Sequence, residues 1–294
     1  MNIVARLKTK DEISHLIKIG TDIIMLDVSG FTAKPINSLD QKEFTHIFKE
    51  IREKQKKVYA YMNKMIHETD LEQLRSWISL FSELDIDGIV INDFTVYVIA
   101  EEYGLGKKII YQPGTMNTNS FDALFLANKM KGMTLSKEIT LDEIVEIIKS
   151  TSEIEYSIVG HGFIDMFYSK RKLITNYFIH KQLKVNQIKN NHQFVLEEKT
   201  RDSIYYPILE DEVGTHIFRD KKLKSFEEMK ILEDMISDFF IERLFIDDEE
   251  YYDTIRAYID NEARKKFEKK YISNFNSGFY YLPTEKTKGE RHVD

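Results

Sequence analysis

Hydrophobic period constrains this chain most. From the N-terminus to about residue 160, short apolar runs of strand character alternate with stretches of helical spacing. Asn2–Arg6 is a short apolar run, followed by a helical pattern through Lys18. Asp22–Val28 reads as a buried strand, and Leu39–Lys56 places Phe44, Ile47, Phe48 and Ile51 on one helical face. Lys57–Met62, Gly88–Asn92, Lys107–Tyr111, Met133–Leu135 and Glu155–Val159 are strand-like. Asp70–Leu84, Thr95–Tyr103, Ser120–Lys131 and Leu141–Ser150 are helical, the first with Leu71, Leu74, Ile78 and Phe81 as its stripe. Short strand-to-helix connections repeated this often favour a parallel sheet with helices outside it. The expected fold is therefore an α/β, TIM-barrel-like parallel (β/α) barrel, closed because so many units need no edge.

The pattern changes after Lys172. Leu183–Leu196 and Tyr205–Phe218 are β-rich and broken by polar turns, which predicts a β-rich insertion late in the chain. Phe226–Met235 reads as helical, Phe239–Ile246 as the last barrel strand, and Asp248–Tyr271 as one long charged C-terminal helix. The expected organisation is residues 1–180 for the first seven β/α units, 181–224 for the insertion, and 225–294 for the last strand, the helix and a polar tail.

Composition excludes several chemistries. The 294 residues contain no cysteine, which rules out disulfides, thiolate zinc sites, a cysteine nucleophile and a cysteine-held cluster. A net charge of −7 makes the chain as a whole a poor electrostatic trap for nucleic acid. No apolar run reaches the ~18–20 residues of a membrane span, and no signal-peptide core follows Met1, so the expectation is a cytoplasmic protein with no membrane contact.

In such a barrel the C-terminal strand ends form the working face. Reading them off gives Asp27, Asn63, Asp93, Gln112, Ser136-Lys137-Glu138 and His161. Any strand-to-loop boundary also carries polar residues, so each is an ordinary boundary residue as readily as a site. Three segments add to the pattern: Gln112-Pro-Gly-Thr-Met-Asn-Thr-Asn119, Leu135-Ser-Lys-Glu138 before Ile-Thr-Leu-Asp-Glu-Ile, and His161-Gly-Phe-Ile-Asp-Met-Phe-Tyr-Ser-Lys-Arg-Lys-Leu173. Their residues and their order resemble the collagenase-like peptidase family U32. His161, Gly162, Tyr168, Ser169 and Leu173 match the family signature, while its two cysteine slots hold Asp165 and Lys172. Those cysteines resemble iron–sulfur ligands, so the chain is expected to hold no cofactor of its own and no metal. Asp165 and Lys172 are expected to make polar contacts in the vacated space, pairing with each other as one arrangement.

The resemblance implies a barrel, and narrows to a short, cysteine-poor branch found beside a longer cysteine-bearing paralogue. Better understood relatives act in hydroxylation, including wobble-uridine 5-hydroxylation of tRNA. The implied role is the smaller component of such a system, in a heterodimer with the cysteine-bearing U32 paralogue and in contact with tRNA. A small anionic co-substrate of prephenate type is also implied, which suits a lysine at the mouth. The expected site groups Lys137, Glu138 and His161 as catalytic residues, with Gln112, Asn119, Asp93, Tyr168 and Arg171 contacting substrate. Lys170, Arg171, Lys172, Lys181, Lys184 and Lys189 lie near Tyr168, Tyr177 and Phe178, cations and rings that suit RNA, though a solvated helix face reads the same way. A second basic cluster, Arg264 to Lys270, shares its helix with Glu249, Glu250, Asp253 and Glu262 and is mixed in sign.

The alternatives are a peptidase, as the family name implies, and a non-catalytic scaffold. No Gly-x-Ser-x-Gly or His-Glu-x-x-His motif is present. Ser169 to Lys172 spells Ser-x-x-Lys, a spacing chance supplies. Asp27 and Asp93 are the carboxylates that an aspartic-type pair would need. His161, Asp165 and His216 are the one conceivable metal set, without the close spacing such sites show.

Overall fold

The computed structural model describes residues 1–185, 194–200 and 204–283. In chain order it runs β1 (Asn2–Arg6), α1 (Ile13–Lys18), β2 (Ile23–Asp27), α2 (Gln41–Glu53), β3 (Lys57–Met62), α3 (Leu71–Leu84), β4 (Gly88–Ile91) and α4 (Phe94–Glu102). It continues with β5 (Ile109–Tyr111), α5 (Ser120–Ala127), β6 (Gly132–Thr134), α6 (Leu141–Ser150), β7 (Glu155–Ser169) and α7 (Leu173–His180). The last third holds β8 (Val195–Glu197), β9 (Tyr205–Glu210), β10 (Thr215–Leu223), α8 (Met229–Leu232), β11 (Asp238–Ile241), α9 (Asp248–Ile259), α10 (Asn261–Tyr271) and β12 (Phe275–Asn276).

Strands β1 to β7 pair in sequence order, all parallel, and β11 closes the ring by pairing with both β1 and β7. The result is a closed TIM-like barrel. Its main core lies between strands and helices, where α2 buries Phe44, Ile47, Phe48 and Ile51. That helix starts where it does because the Asp40 carboxylate accepts from the amides of Lys42 and Glu43, both at 2.9 Å, while Glu43 reaches back to the Asp40 amide. Removing the cap with Asp40→Ala is expected to cost about 1 kcal/mol. A smaller core fills the barrel itself, with Val4, Met25, Tyr59, Val90, Ile110 and Phe240. Tyr59 seals the N-terminal end. Its hydroxyl donates to Asp238 at 2.7 Å and accepts from Lys131 at 2.8 Å.

β7 does two jobs. Its first part is barrel wall, against β6 and β11. From Gly162 to Ser169 it leaves the barrel and pairs antiparallel with β10, which pairs with β9 and through it β8. Gly162 makes the departure feasible: its φ is +111°, and a Cβ there would sit 2.8 Å from the Glu242 Cβ. This antiparallel sheet stands over one side of the barrel mouth.

Four sequence expectations change, the first being the last barrel strand, read as Phe239–Ile246 and observed as Asp238–Ile241. The strand read as Glu155–Val159 runs on to Ser169. The segment Phe226–Met235 keeps only the short helix α8. The long C-terminal helix is two helices. Asp260 is extended, with φ −126° and ψ 126°, and its carboxylate accepts from the Ala263 amide at 2.6 Å, so one residue ends α9 and caps α10. Of the β-rich stretch Leu183–Leu196, residues 186–193 lie outside the described set.

Candidate functional site

A cavity of about 340 Å³ opens at the C-terminal ends of the barrel strands. Arg6, Tyr61, Gln112 and Val159 line its floor. Loops add Lys34, Lys137 and Glu242, and the antiparallel sheet supplies Asp165, Tyr168 and His216 as a wall.

The floor is neutralised from within. Arg6, at the end of β1, donates to Asp27 at 2.7 and 2.8 Å through one nitrogen and at 3.2 Å through Nε, with both side chains buried. Asp27 also accepts from the amides of Ile36 and Asn37. Arg6 further lies 3.5 Å from Glu242 and over the Tyr61 ring. A carboxylate so fully engaged is a structural anchor. Asp93 is likewise committed: it caps α4 through the Thr95 amide and accepts from Ile66. The two aspartates therefore do not form a shared catalytic pair.

The wall is different. Lys34, with φ of +55°, forms an ion pair with Asp165, donates its amide to Asp211 at 2.7 Å, and offers its carbonyl to Arg6 at 3.1 Å. His216 stacks on Tyr168, with ring centroids 4.6 Å apart and planes at 1°. Its nitrogens lie 3.7 Å from Asp165 and 3.6 Å from Asp211, within ion-pair range of both carboxylates and beyond hydrogen-bond length. Asp165 Oδ1 is buried and unpaired. Burial raises the Asp165 carboxyl, but the Lys34 ammonium and the His216 and Lys137 side chains outweigh it and hold the acid well below its ordinary range.

Lys137 follows β6 and lines the cavity. Among the described residues it has no hydrogen bond and no ion pair. Burial lowers its ammonium pKa, Asp165 partly restores it, and Lys34 lowers it again. A cation in a pocket with no bonded counter-ion can meet an anionic ligand without first breaking a contact.

Of the residues expected at one site, the cavity takes in Gln112, Lys137 and Tyr168. Gln112 accepts from the Tyr61 hydroxyl and donates to Thr134, both at 3.3 Å. Five others stand elsewhere, among them Asp93, the cap of α4 already described. Asn119 is the N-cap of α5, accepting from Phe121 and Asp122. Glu138 does not line the cavity, and Arg171 is exposed beyond the wall. His161 lies outside the barrel, fully buried in a box of Phe226, Tyr258, Phe267 and Phe275. The Tyr258 hydroxyl is 3.1 Å from its Nδ1 and Thr254 is 3.4 Å from its Nε2. Burial, with Lys222 and Lys224, pushes its pKa down to about 3, so it is a neutral core residue. The grouping of His161 and Glu138 with Lys137 is thereby corrected, as is the set His161, Asp165 and His216. Among the described residues no cluster of three or more His, Asp or Glu is disposed to hold a metal ion.

The two cysteine slots also part company. Asp165 pairs with Lys34 and not with Lys172, which is exposed at the start of α7. One carboxylate already in an ion pair and one distant ammonium do not fit a thiolate-held cluster. Sequence reading missed Arg6, Lys34, Asp211 and Glu242 altogether. Arg6 closes an apolar strand just as Asp27 does, and the same rule would have found it.

Comparison with known proteins follows the geometry. Residues 8–288 match the model of peptidase family U32. A Bacillus subtilis protein named tRNA hydroxylation protein P2 is 29% identical over 232 residues, covering 78% of this chain and 74% of that one. An uncharacterized protease of Methanocaldococcus jannaschii is 24% identical, over 84% of this chain and 64% of its own. The tRNA hydroxylation protein P of Helicobacter pylori is 26% identical over 69% of this chain, which spans only half of that protein. Matched along nearly its whole length and built as a TIM-like barrel, the chain belongs to peptidase family U32.

Proposed function

We propose that this chain is a component of tRNA hydroxylation at the wobble uridine, working beside a cysteine-bearing U32 paralogue that holds the cluster this chain has no thiolates to bind. Similarity to a tRNA hydroxylation protein over 78% of the chain carries the reading. The mouth supports it. Lys137 supplies a free ammonium for a small anionic co-substrate of prephenate type, and Tyr168, held flat by its stack on His216 and by its hydroxyl's bond to the Val213 carbonyl at 3.0 Å, lines the wall as a rigid ring. Exposed Arg171, Lys172, Lys181 and Lys184 offer phosphate contacts on the side where the wall leaves the barrel. Lys189 of that basic group lies outside the described residues. Residues of this chain would bind and orient; the oxidative chemistry belongs to the partner's cofactor.

A peptidase reading lacks a site. Ser169 Oγ accepts from the Arg171 amide at 3.2 Å, and Lys172 is exposed, with no hydrogen bond between them. Purified chain is expected to leave gelatin intact. The deciding measurement is mass spectrometry of tRNA nucleosides from a deletion strain. Loss of 5-hydroxyuridine-derived nucleosides, restored by the wild-type gene, is expected. An unchanged nucleoside profile would sink the reading.

A further inference from the structure

The outer helices do not all pack against their neighbours in the ring. Helix α4 packs on α3 and α5 packs on α6, but between α4 and α5 lies a groove of about 410 Å³ that includes Phe94, Met116 and Phe125 in its lining. The helices flanking it have the wrong surface for solvent. Elsewhere the outer faces are charged: α2 exposes Lys42, Glu43 and Lys49, and α6 exposes Asp142, Glu146 and Lys149. On α5 the inward positions are Ala123, Leu126 and Ala127, and the outward ones are Phe121, Leu124 and Phe125. On α4, Phe94 and Val98 face out. Phe121 is 78% exposed, Met116 60% and Phe125 59%. Apart from Asp122, the turns of α5 after Ser120 are apolar on both faces, the pattern of a helix that is covered.

We infer that the α4–α5 face is where the cluster-bearing protein partner docks. Three observations select this occupant. Phe94, Val98, Met116, Phe121, Leu124 and Phe125 together expose roughly 600 Å², approaching the ~800 Å² each side contributes to a standard protein interface and at the top of the range an isolated monomer leaves bare. The face carries little charge to offer a phosphate backbone: Asp122 is occupied by Thr118 and Asn119, and Lys129 is folded over the Phe125 ring at 3.9 Å. The groove also adjoins the mouth, because Thr115 and Met116 line both cavities. A protein seated here therefore reaches the rim of the Lys137 pocket. A second copy of this chain would bring no thiolate with it, whereas a cysteine-bearing partner brings the group the proposed reaction lacks. The identity of the occupant rests on the hydroxylation reading; the face itself does not.

The test uses the purified full chain and the purified cysteine-bearing paralogue with its cluster. Light scattering of the mixture should show a one-to-one complex. The double variant Phe121→Glu/Phe125→Glu should bind roughly 100-fold more weakly, as expected when apolar anchors at the centre of an interface become charged. Its circular dichroism and melting temperature should be unchanged, since neither side chain is in the core. Val98→Glu, across the groove, is an independent probe with the same expected direction. Full-strength binding by all these variants would overturn the inference. So would a wild-type chain that binds only itself through this face. The nucleoside assay separates the two proposals. Unimpaired variants in a system that loses 5-hydroxyuridine on deletion would discard the face and keep the function. A complex broken by the variants, with nucleosides unaffected by deletion, would keep the face and discard the function.

Discussion

Two buried histidines teach what a site is in this molecule. His161 lies outside the barrel wall, closed in by four aromatic rings, with a hydroxyl near each nitrogen. His216 lies on the mouth wall, stacked on Tyr168 between two carboxylates, with neither nitrogen bonded. Both are almost wholly inaccessible. Burial therefore does not separate them; the groups facing their nitrogens do, hydroxyls for His161 and carboxylates for His216. A histidine set among hydroxyls and rings holds the core together, whereas one set between two carboxylates on the cavity lining belongs to the site's electrostatics.

The largest expected effect belongs to the aromatic box around His161. Phe267 touches His161, Phe226, Phe275 and Tyr271 and joins α10 to the barrel. Phe267→Ala should cost about 3–5 kcal/mol in denaturant unfolding, by lost burial and the cavity left behind. A loss below ~1 kcal/mol would mean that the aromatic box is loosely packed and that His161 is more accessible than its burial states.

The second effect is a pH dependence. The folded pKa of His161 is pushed down to about 3 from an ordinary 6.5, so the unfolded chain takes up the proton first. Stability is then whole above about pH 6.5 and falls by about 1.4 kcal/mol per pH unit as pH drops from there. At pH 5 the loss is about 2 kcal/mol, and His161→Gln should flatten that slope. The mouth acts in a lower window. Asp165 is held below its ordinary 3.8, so its contribution is present above that pH and is lost only as pH falls further. A slope between pH 6.5 and 4 that survives His161→Gln would assign it to other groups and break the contrast.

The barrel was legible because its strands are buried on both faces and its helices on one, which writes two clear periods into the sequence. The mouth was legible only where it is local. Gln112 and Lys137 follow strands directly. Lys34 reaches the wall from a loop by a left-handed backbone turn, and His216 is delivered beside Tyr168 by antiparallel register, which no local pattern states. His161 was misplaced for a specific reason. Val159 faces the barrel interior, and strict alternation would put His161 there too. The register instead slips opposite Gly160, since Phe240 pairs with Val159 and Ile241 with His161, and the histidine turns outward. The break at Asp260 was hidden because a capping aspartate looks like any other charge in a charged helix.

The two cysteine slots give the third comparison. Asp165→Asn removes the counter-ion of Lys34 in a largely buried setting and should cost about 1–2 kcal/mol. Lys172→Ala, at an exposed position, should stay within ~0.5 kcal/mol. Equal effects from both would restore the idea that the slots still act as one unit.

The smallest expected stability change comes from the residue on which function leans most. Lys137 is an ammonium in the mouth with no bonded partner among the described residues, and its own burial disfavours its charge. Removing such a cation withdraws no hydrogen bond and relieves a desolvation cost. Lys137→Met keeps the stem's length and apolar contacts, so unfolding should shift by less than ~1 kcal/mol, in either direction. The same variant should fail to restore 5-hydroxyuridine-derived nucleosides in the deletion strain, because the anion would enter a pocket whose remaining cations, Arg6 and Lys34, already face carboxylates. Reversing the pattern, with Lys137→Met destabilised by several kcal/mol yet fully active, would place Lys137 with structural residues such as those of the His161 box and empty the mouth of its proposed anion site. Lys137→Arg sharpens the result. It keeps the charge but widens it to a planar fork. Partial rescue by arginine would show that charge alone suffices, and no rescue would show that the pocket is shaped for a compact ammonium.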